Sequence, residues 1–192
     1  TREATAKSYL RPNAVDSITG KNSGDNTGEG APVMHFREWE NKTVSVSLLL
    51  KGGGSENVSC QYSLPDNSLH AGRDVEGVRK CIVDAAFRAQ GLGCAPGILG
   101  VCVGGDRATG MVEAKKQLFR LLNDTNSNPV LDELEKKLIK ECNELSIGPM
   151  GFGGKTTVLS VKIGKLHRVP ASFFVSVAYL CWAARRASVT IV

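Results

Sequence analysis

The sequence predicts a mixed α/β or α+β fold in which a mixed sheet packs against helices. Two observations lead to this class. Apolar residues recur at three- and four-residue spacing in three stretches, and short apolar or β-branched runs lie between those stretches. With 192 residues and 42% hydrophobic content, the chain is long enough to bury a sizeable core. Turn-forming residues dominate residues 1–32, so we expect an irregular segment there and a single domain over 33–192.

Two strands are predicted at the start of the domain, over residues 33–39 and 43–50. The second run alternates valine and leucine with polar residues, and the three residues between the runs favour a hairpin. Lys51 and three consecutive glycines follow. Because three glycines cost backbone entropy and pack nothing, they indicate a place where the backbone must approach another group closely.

Three helices and three further strands are predicted in the rest of the domain. The third helix begins at an Asn-Pro pair, in which Asn128 supplies the N-cap and Pro129 the first-turn proline. The runs between the helices have strand length and an apolar or β-branched composition, which favours core strands. The predicted helices are 74–90, about 108–121 and 130–145, and the predicted strands are 98–103, 156–163 and 173–180.

Charge and hydropathy argue against two classes of partner. The net charge of +5 is mild and spread along the chain, so it gives no case for nucleic-acid binding. The apolar uncharged stretch 169–184 has 16 residues and contains a proline and two serines, which makes it too short and too polar to span a bilayer. We therefore expect neither a nucleic-acid nor a membrane partner.

The six cysteines form no C-x-x-C pair, which excludes a zinc ribbon, a thioredoxin motif and a tight ferredoxin run. A chain of this length needs no disulfides, so we interpret the thiols as reduced and the protein as cytoplasmic. Cys81 and Cys142 lie at core spacing within predicted helices, which favours a packing role. Cys94 precedes a predicted strand in a loop bounded by glycine and proline, and Cys181 lies where another strand ends. Such loops can gather metal ligands.

Residues 154–156, Gly-Lys-Thr, match the end of a phosphate-binding loop. The full pattern needs a glycine five positions earlier, where this chain has Pro149, and a helix after the lysine, where a strand-like run follows. A phosphate-binding enzyme that uses 148–157 stays an alternative, and its nucleotide affinity would fall on Lys155→Ala.

Several glycine- and cysteine-containing motifs occur in one order along the chain. They are YLRP (9–12), TGKNSGDNTG (19–28), KGGGSEN (51–57), GCAP (93–96), GVCVGG (100–105), IGPMGFGGKTT (147–157), PAS (170–172) and CWAARR (181–186). Together they resemble the α subunit, or α-type domain, of the iron–sulfur hydro-lyases, namely class I fumarase and L-tartrate dehydratase. The resemblance runs from about Tyr9 to the C-terminus.

The resemblance implies a 4Fe-4S cluster held by three cysteines, with one iron left open to act as a Lewis acid on a substrate carboxylate and hydroxyl. By position in the motifs, Cys94 and Cys181 are two of the ligands. The guanidinium of Arg11 and the backbone amides of Gly53 and Gly54 are expected to bind substrate carboxylates. The implied reaction is the reversible hydration of a four-carbon dicarboxylate, fumarate/malate first and tartrate second.

The chain departs from the family pattern in three ways. The Cys-Gln-Asp-Thr-Gly motif that carries the third cysteine is expected upstream of Arg11, so we expect an N-terminally truncated part of the α-type domain. The catalytic base and acid are expected outside this chain, in a β subunit or C-terminal β-type domain of a homo- or hetero-oligomer. Twelve residues before Cys181, where relatives often have histidine, this chain has Val169; His167 lies two positions away and, on a strand, would point to the same side.

These expectations describe a hydro-lyase component that is inactive as an isolated chain. Cys60 and Cys102 match no ligand position and are expected to pack in the core. The alternative is a non-catalytic, cluster-free scaffold of the same fold.

Overall fold

The computed structural model describes residues 1–191. They form two compact units, of which the smaller comprises Thr1–Val44 with Thr190 and Ile191, and the larger comprises Ser45–Val189. The predicted boundary between an irregular segment, 1–32, and a single domain, 33–192, stays a prediction. Residue 192 lies outside the described part of the chain. Within residues 1–191, no helix has both the length and the apolar character needed to cross a membrane.

The smaller unit consists mainly of turns, as predicted for residues 1–32, with one short helix, α1 (Arg2–Ala6). Side-chain hydrogen bonds hold the turns together: the Asn26 amide donates to Thr5 Oγ1 and to the Arg11 carbonyl, both within 2.9 Å. The predicted strand over 33–39 is wrong, because that run forms no ladder. The predicted hairpin is therefore wrong as well.

A two-stranded sheet replaces the predicted hairpin. Strand β1 (Val44–Leu49) pairs with β6 (Arg186–Ile191), which lies more than a hundred residues further along the chain. The hydroxyls of Ser47 and Ser188 lie 2.8 Å apart across the pair. Strand β6 lies beyond the strand that the sequence predicts as the last one, and its exposed side chains carry no burial pattern that would predict it.

The larger unit is built on a four-stranded sheet with the order β2-β5-β3-β4. Strands β3 and β4 are parallel, and the other neighbours are antiparallel. The predicted mixed sheet is thus confirmed. Its strands are β2 (Cys60–Ser63), β3 (Gly97–Val103), β4 (Val158–Lys165) and β5 (Phe174–Leu180), and only β2, a short edge strand, was absent from the predicted set.

The three predicted helices are confirmed as α3 (Val75–Ala89), α4 (Arg107–Gln117) and α5 (Pro129–Glu144). Each begins at a side-chain cap, since Asp74, Asp106 and Asn128 accept hydrogen bonds from first-turn amides. Helix α4 ends four residues earlier than predicted, because the Leu118 amide already bonds to Lys115 in a tighter turn. A five-residue helix, α2 (Gly53–Asn57), and a 3₁₀ turn (Pro149–Gly151) were not predicted.

The helices cover the two faces of the four-stranded sheet. Along β3 the side chains alternate: Leu99 and Val101 pack in the cluster with α3 and α5, whereas Ile98 and Cys102 pack with α4. All four are fully buried. Burying a large aliphatic side chain contributes about 1.5–3 kcal/mol, so the two clusters stabilise β3 from both faces of the sheet.

Candidate functional site

The sheet brings the two predicted cysteine ligands to the same end. Strand β3 begins and antiparallel β5 ends there, with Ile98 opposite Leu180. Cys94 lies just before β3, and Cys181 lies directly after β5. The Trp182 amide donates to the Cys94 carbonyl across 3.5 Å, and both cysteine side chains are half-buried. Two cysteines that are 87 positions apart in sequence therefore lie at the same end of the sheet.

The backbone around Cys94 is tightly packed. Cys94 has a φ of +59°, in the left-handed region that few non-glycine residues adopt. A side chain at Gly91 would overlap the Met150 carbonyl, and one at Gly97 would overlap the Tyr179 ring. Gly91 thus permits a close approach of the backbone at Met150, and Gly97 leaves room for the Tyr179 ring.

The triglycine turn lies beside the Cys94 loop. A Cβ at Gly54 would lie 3.1 Å from the Leu92 carbonyl, two residues before Cys94. Gly53 and Gly54 occupy the first turn of α2, where backbone amides have no partner within the helix. The close approach predicted for the three glycines is therefore confirmed at Gly54 alone, where the neighbour is the segment that carries Cys94, whereas a Cβ at Gly52 or Gly53 would meet open space.

An ion-pair cluster encloses the triglycine turn. Glu56 accepts from Lys51 and from Lys115, each at 2.6 Å. Burial lowers the pKa of Lys51, with Glu56 and Cys181 opposing that shift. Burial also acts to raise the pKa of Glu56, but the two lysines outweigh it, so that pKa lies below its usual value. Because Lys51 and Glu56 flank the glycines, their pairing closes the turn.

Ser59 connects this cluster to the strand that leads to Cys181. Its hydroxyl oxygen lies 3.4 Å from Lys51 Nζ and accepts from the Tyr179 amide at 3.1 Å. Sequence reasoning missed Lys51, Glu56 and Ser59 as site residues. The signal that could have found them is a lysine and a glutamate on either side of a glycine turn, spaced to pair around it.

The loop 148–157 lies on the other side of Cys94. The Met150 amide donates to the Ala95 carbonyl at 2.9 Å, and the Gly97 amide donates to the Thr157 carbonyl at 2.9 Å. Lys155 is exposed, and β4 follows it in place of a helix. The structure therefore lacks, at this position, the helix N-terminus that a phosphate-binding loop requires.

Arg11, the other predicted substrate-binding residue, belongs to the smaller unit. Its side chain is exposed, and its carbonyl accepts from the Asn26 amide at 2.8 Å. Asn26 belongs to the motif at 19–28, and its hydrogen bond fixes the backbone at Arg11.

His167 lies at the opposite end of the sheet from the two cysteines. Its carbonyl accepts from the Gly105 amide at 3.2 Å, just beyond the C-terminal end of β3. Strand β3 has seven residues, which corresponds to about 20 Å. His167 also follows the end of β4 and lies in no strand, so the strand geometry considered for it and Val169 is wrong. The described structure does not bring His167 to the cysteine pair.

Three of the other four thiols lie in the core, and the fourth, Cys60, is partly buried against it. Cys81, Cys102 and Cys142 are completely buried, and burial raises the pKa of each to about 12. Burial also raises the pKa of Cys60. Since the thiolate is the form that binds metal, these environments suit packing rather than ligation.

The donor atoms at the site suit an iron–sulfur cluster in part. Two cysteine sulfurs at strand ends are the soft ligands that such a cluster takes. Among residues 1–191, however, no group of three His, Cys, Asp or Glu side chains is placed to hold a metal ion. The described residues thus place two cysteines at one end of the sheet and no third side chain of these types with them.

Comparison with known proteins defines the class. A family model described as "Fumarate hydratase (Fumerase)" matches residues 1–190, and the chain belongs to this family. It is 55% identical, over 98% of its length, to a Geobacillus stearothermophilus protein named "Putative fumarate hydratase class I", of which it covers 37%. It is 32% identical, again over 98% of its length, to the L(+)-tartrate dehydratase subunit alpha of Escherichia coli strain K12, of which it covers 61%. The chain thus spans between about a third and three fifths of these relatives.

Proposed function

We propose that this chain is part of an iron–sulfur hydro-lyase that reversibly hydrates a four-carbon dicarboxylate, with fumarate/malate as the first substrate pair and tartrate as the second. The names of the relatives support a hydro-lyase of this substrate class. The observation that carries the proposal is the convergence, at one end of the sheet, of Cys94, Cys181 and the triglycine turn.

Cys94 and Cys181 are proposed to hold a 4Fe-4S cluster through their thiolates, with the third thiolate supplied from outside residues 1–191. Such a cluster, when bound with one open iron, supplies a Lewis acid for the substrate's carboxylate and hydroxyl. Half-buried thiols at the ends of core strands suit this role, because the sheet holds the backbone while the side chains stay accessible.

The chain's own part in the reaction is to bind and orient the substrate. The amides of Gly53 and Gly54 are proposed to donate to one carboxylate, and the Lys51–Glu56 pair holds their turn in place. The Arg11 guanidinium is proposed to bind a carboxylate through two parallel hydrogen bonds. The base and acid that move the proton are proposed to come from a β subunit or C-terminal β-type domain, in a cytoplasmic homo- or hetero-oligomer.

A comparison of two polypeptides tests this function. One is the 192-residue chain, and the other is a chimera in which this chain replaces the matching stretch of the Geobacillus relative. Purified without air, the chain is expected to hold less than one 4Fe-4S cluster per molecule, by iron and sulfide content. The chimera is expected to hold one and to hydrate fumarate with a higher kcat/KM than it shows for tartrate dehydration. A full cluster and hydratase activity in the chain alone would contradict the proposed ligand set.

A second candidate is a cluster-free scaffold of the same fold. It is favoured by one observation, that residues 1–191 bring together two thiols and no third ligand. The same experiment separates the two, since a folded chimera that binds no iron and has no hydratase activity supports the scaffold.

A further inference from the structure

Lys51 carries a largely buried ammonium group at the start of the triglycine turn. Its side chain is 12% exposed, whereas that of its carboxylate partner, Glu56, is 47% exposed. Burial lowers the pKa of Lys51, which reflects the cost of keeping its charge away from water. A pair with an exposed glutamate contributes little by itself and does not require a buried lysine. The burial of Lys51 therefore indicates a second partner inside the fold.

The second partner is Ser59. The Nζ atom of Lys51 lies 2.6 Å from Glu56 Oε2 and donates to Ser59 Oγ across 3.4 Å. Glu56 belongs to α2, and Ser59 directly precedes β2. The ammonium of Lys51 thus bridges the turn and the residue at which the edge strand begins.

The Ser59 hydroxyl extends this bridge to strand β5. It donates to the Ser55 carbonyl at 3.1 Å and accepts from the Tyr179 amide at 3.1 Å. Strand β2 pairs with β5 only as far as Cys60 and Val177, so the serine hydroxyl binds the Tyr179 amide where the ladder has ended. One side chain therefore connects α2, the Lys51 ammonium and the last residues of β5.

Backbone contacts place this bridge next to both cysteine segments. The Leu50 amide, directly before the lysine, donates at 2.9 Å to the Arg185 carbonyl in the segment that follows β5. The Cys94 loop lies against the same strand end, because a side chain at Gly93 would overlap the Tyr179 ring. The bridge is thus tied to the segments that carry the two cysteines.

We propose that Lys51 is a positioning residue of the hydro-lyase site, which ties the triglycine turn to the end of β5 through Glu56 and Ser59. Lys51 acts through the turn and does not touch the substrate. It holds the first-turn amides of α2 at a fixed distance from the strand end that carries Cys181. This inference rests on the proposed function, in which those amides bind a substrate carboxylate.

The proposal predicts a particular kinetic signature. The amides would contact the carboxylate in the bound substrate and in the transition state alike, so a looser turn weakens both to the same extent. Such a loss raises KM and leaves kcat nearly unchanged. A residue needed only for folding would instead lower kcat and iron content together, because fewer molecules would be active.

Lys115 provides the sharpest comparison. It pairs with Glu56 at 2.6 Å from helix α4, and its side chain is 38% exposed. Its ammonium holds the turn through that carboxylate, whereas the ammonium of Lys51 holds the carboxylate and also contacts Ser59. The two lysines therefore differ in their connection to β5.

Steady-state kinetics of variants of the chimera test the role. Lys51→Gln is expected to raise KM for fumarate about tenfold and to change kcat less than about twofold, with unchanged iron per folded protein. Lys115→Gln should raise KM less than about threefold. Lys51→Arg keeps the charge and two donors and should restore KM to within about threefold of the parent.

Lys136→Gln is the matched control for these variants. Lys136 pairs with Asp132 at 2.7 Å on helix α5, and its side chain is 72% exposed. Its substitution removes an ion pair of the same length away from the cysteine segments. Both KM and kcat should stay at the values of the parent chimera.

Amide hydrogen exchange in the 192-residue chain gives a second measurement that needs no cluster. Lys51→Gln and Ser59→Ala are each expected to speed exchange of the Tyr179 amide about tenfold, because the bridge that protects this amide opens more often. Lys136→Gln should leave that rate unchanged.

The outcomes separate this role from the proposed function. A parent chimera that holds no cluster and shows no hydratase activity contradicts the function, and the role of Lys51 in it falls as well. In an active chimera, equal KM values for Lys51→Gln and Lys115→Gln would show that the effect passes through Glu56 alone, which overturns the inference. It is also overturned by an unchanged KM with lower iron content, or by an unchanged exchange rate at Tyr179 in Lys51→Gln.

Discussion

Five of the six cysteines of this chain occupy two contrasting regions. Cys81, Cys102 and Cys142 are completely buried in the packed faces of the sheet, where burial holds their pKa at about 12. Cys94 and Cys181 are half-buried in loops at one end of the same sheet. The difference shows that position relative to the strand ends decides what a thiol can do: inside the core it packs, whereas at a strand end it is both held and accessible.

The largest difference is expected in thiol reactivity. In the folded, reduced chain, iodoacetamide should modify Cys94 and Cys181 at least about 10³-fold faster than Cys142, because a buried thiol reacts only after an opening that costs several kcal/mol. Peptide mass spectrometry at timed intervals measures each rate. Comparable modification rates at Cys94 and Cys142 would contradict the difference in accessibility between the strand-end and core cysteines.

The second largest difference is expected in hydratase activity, which should depend on the cysteines at the strand ends and not on those in the core. In the chimera, Cys94→Ser or Cys181→Ser is expected to lower kcat/KM for fumarate more than about 100-fold. Losing a ligand should cost more than losing a residue that only hydrogen-bonds to a ligand, which typically costs about 10- to 100-fold. Cys142→Ser, normalised to folded protein by circular dichroism, should keep most of the activity. Iron content should fall in parallel in the first two variants, and retained activity in either would show that the ligands are assigned wrongly.

The free energy of unfolding should respond in the reverse order, more to a substitution at Cys142 than to one at Cys181. Cys142→Ser is expected to reduce the free energy of unfolding of the chain by about 2 kcal/mol, because it places a hydroxyl in a fully buried apolar site. Cys181→Ser should cost less than about 0.5 kcal/mol, since its side chain is partly exposed. Urea unfolding of both variants at one temperature measures the difference, and equal losses would be inconsistent with the packing described for Cys142.

The smallest effect concerns the ion pairs beside the triglycine turn. The pKa of Glu56 is lowered in the fold, so its contribution to stability is present above its usual pKa of 4.5 and is lost as the pH falls through the lower, folded value. Because Glu56 is partly exposed, Glu56→Gln should cost only about 0.5 kcal/mol at pH 7 and nothing near pH 2.

Urea titrations at both pH values measure this loss. Glu133→Gln, an exposed position on α5, is the control and should be neutral at both. A loss at Glu56 that persists unchanged near pH 2 would show that charge is not its source.

Sequence periodicity predicted the long core elements well. The three helices were found because apolar residues repeat along α3, α4 and α5 and because Asn128 caps the third. The failures, strands 33–39, β2 and β6, share one cause. Edge and exposed strands are decided by which distant segment pairs with them, and a single-sequence pattern does not contain that partner.

The sequence by itself determined the family, the packing helices and the identity of Cys94 and Cys181 as candidates, because motifs and periodicity are local properties of the chain. Only the tertiary structure decided that these two cysteines lie at the same end of the sheet, that Lys51 and Glu56 close the triglycine turn, and that His167 lies at the far end of the sheet. The physical reason is strand direction. Antiparallel pairing joins the start of β3 to the end of β5, and parallel pairing carries the end of β4 away from both.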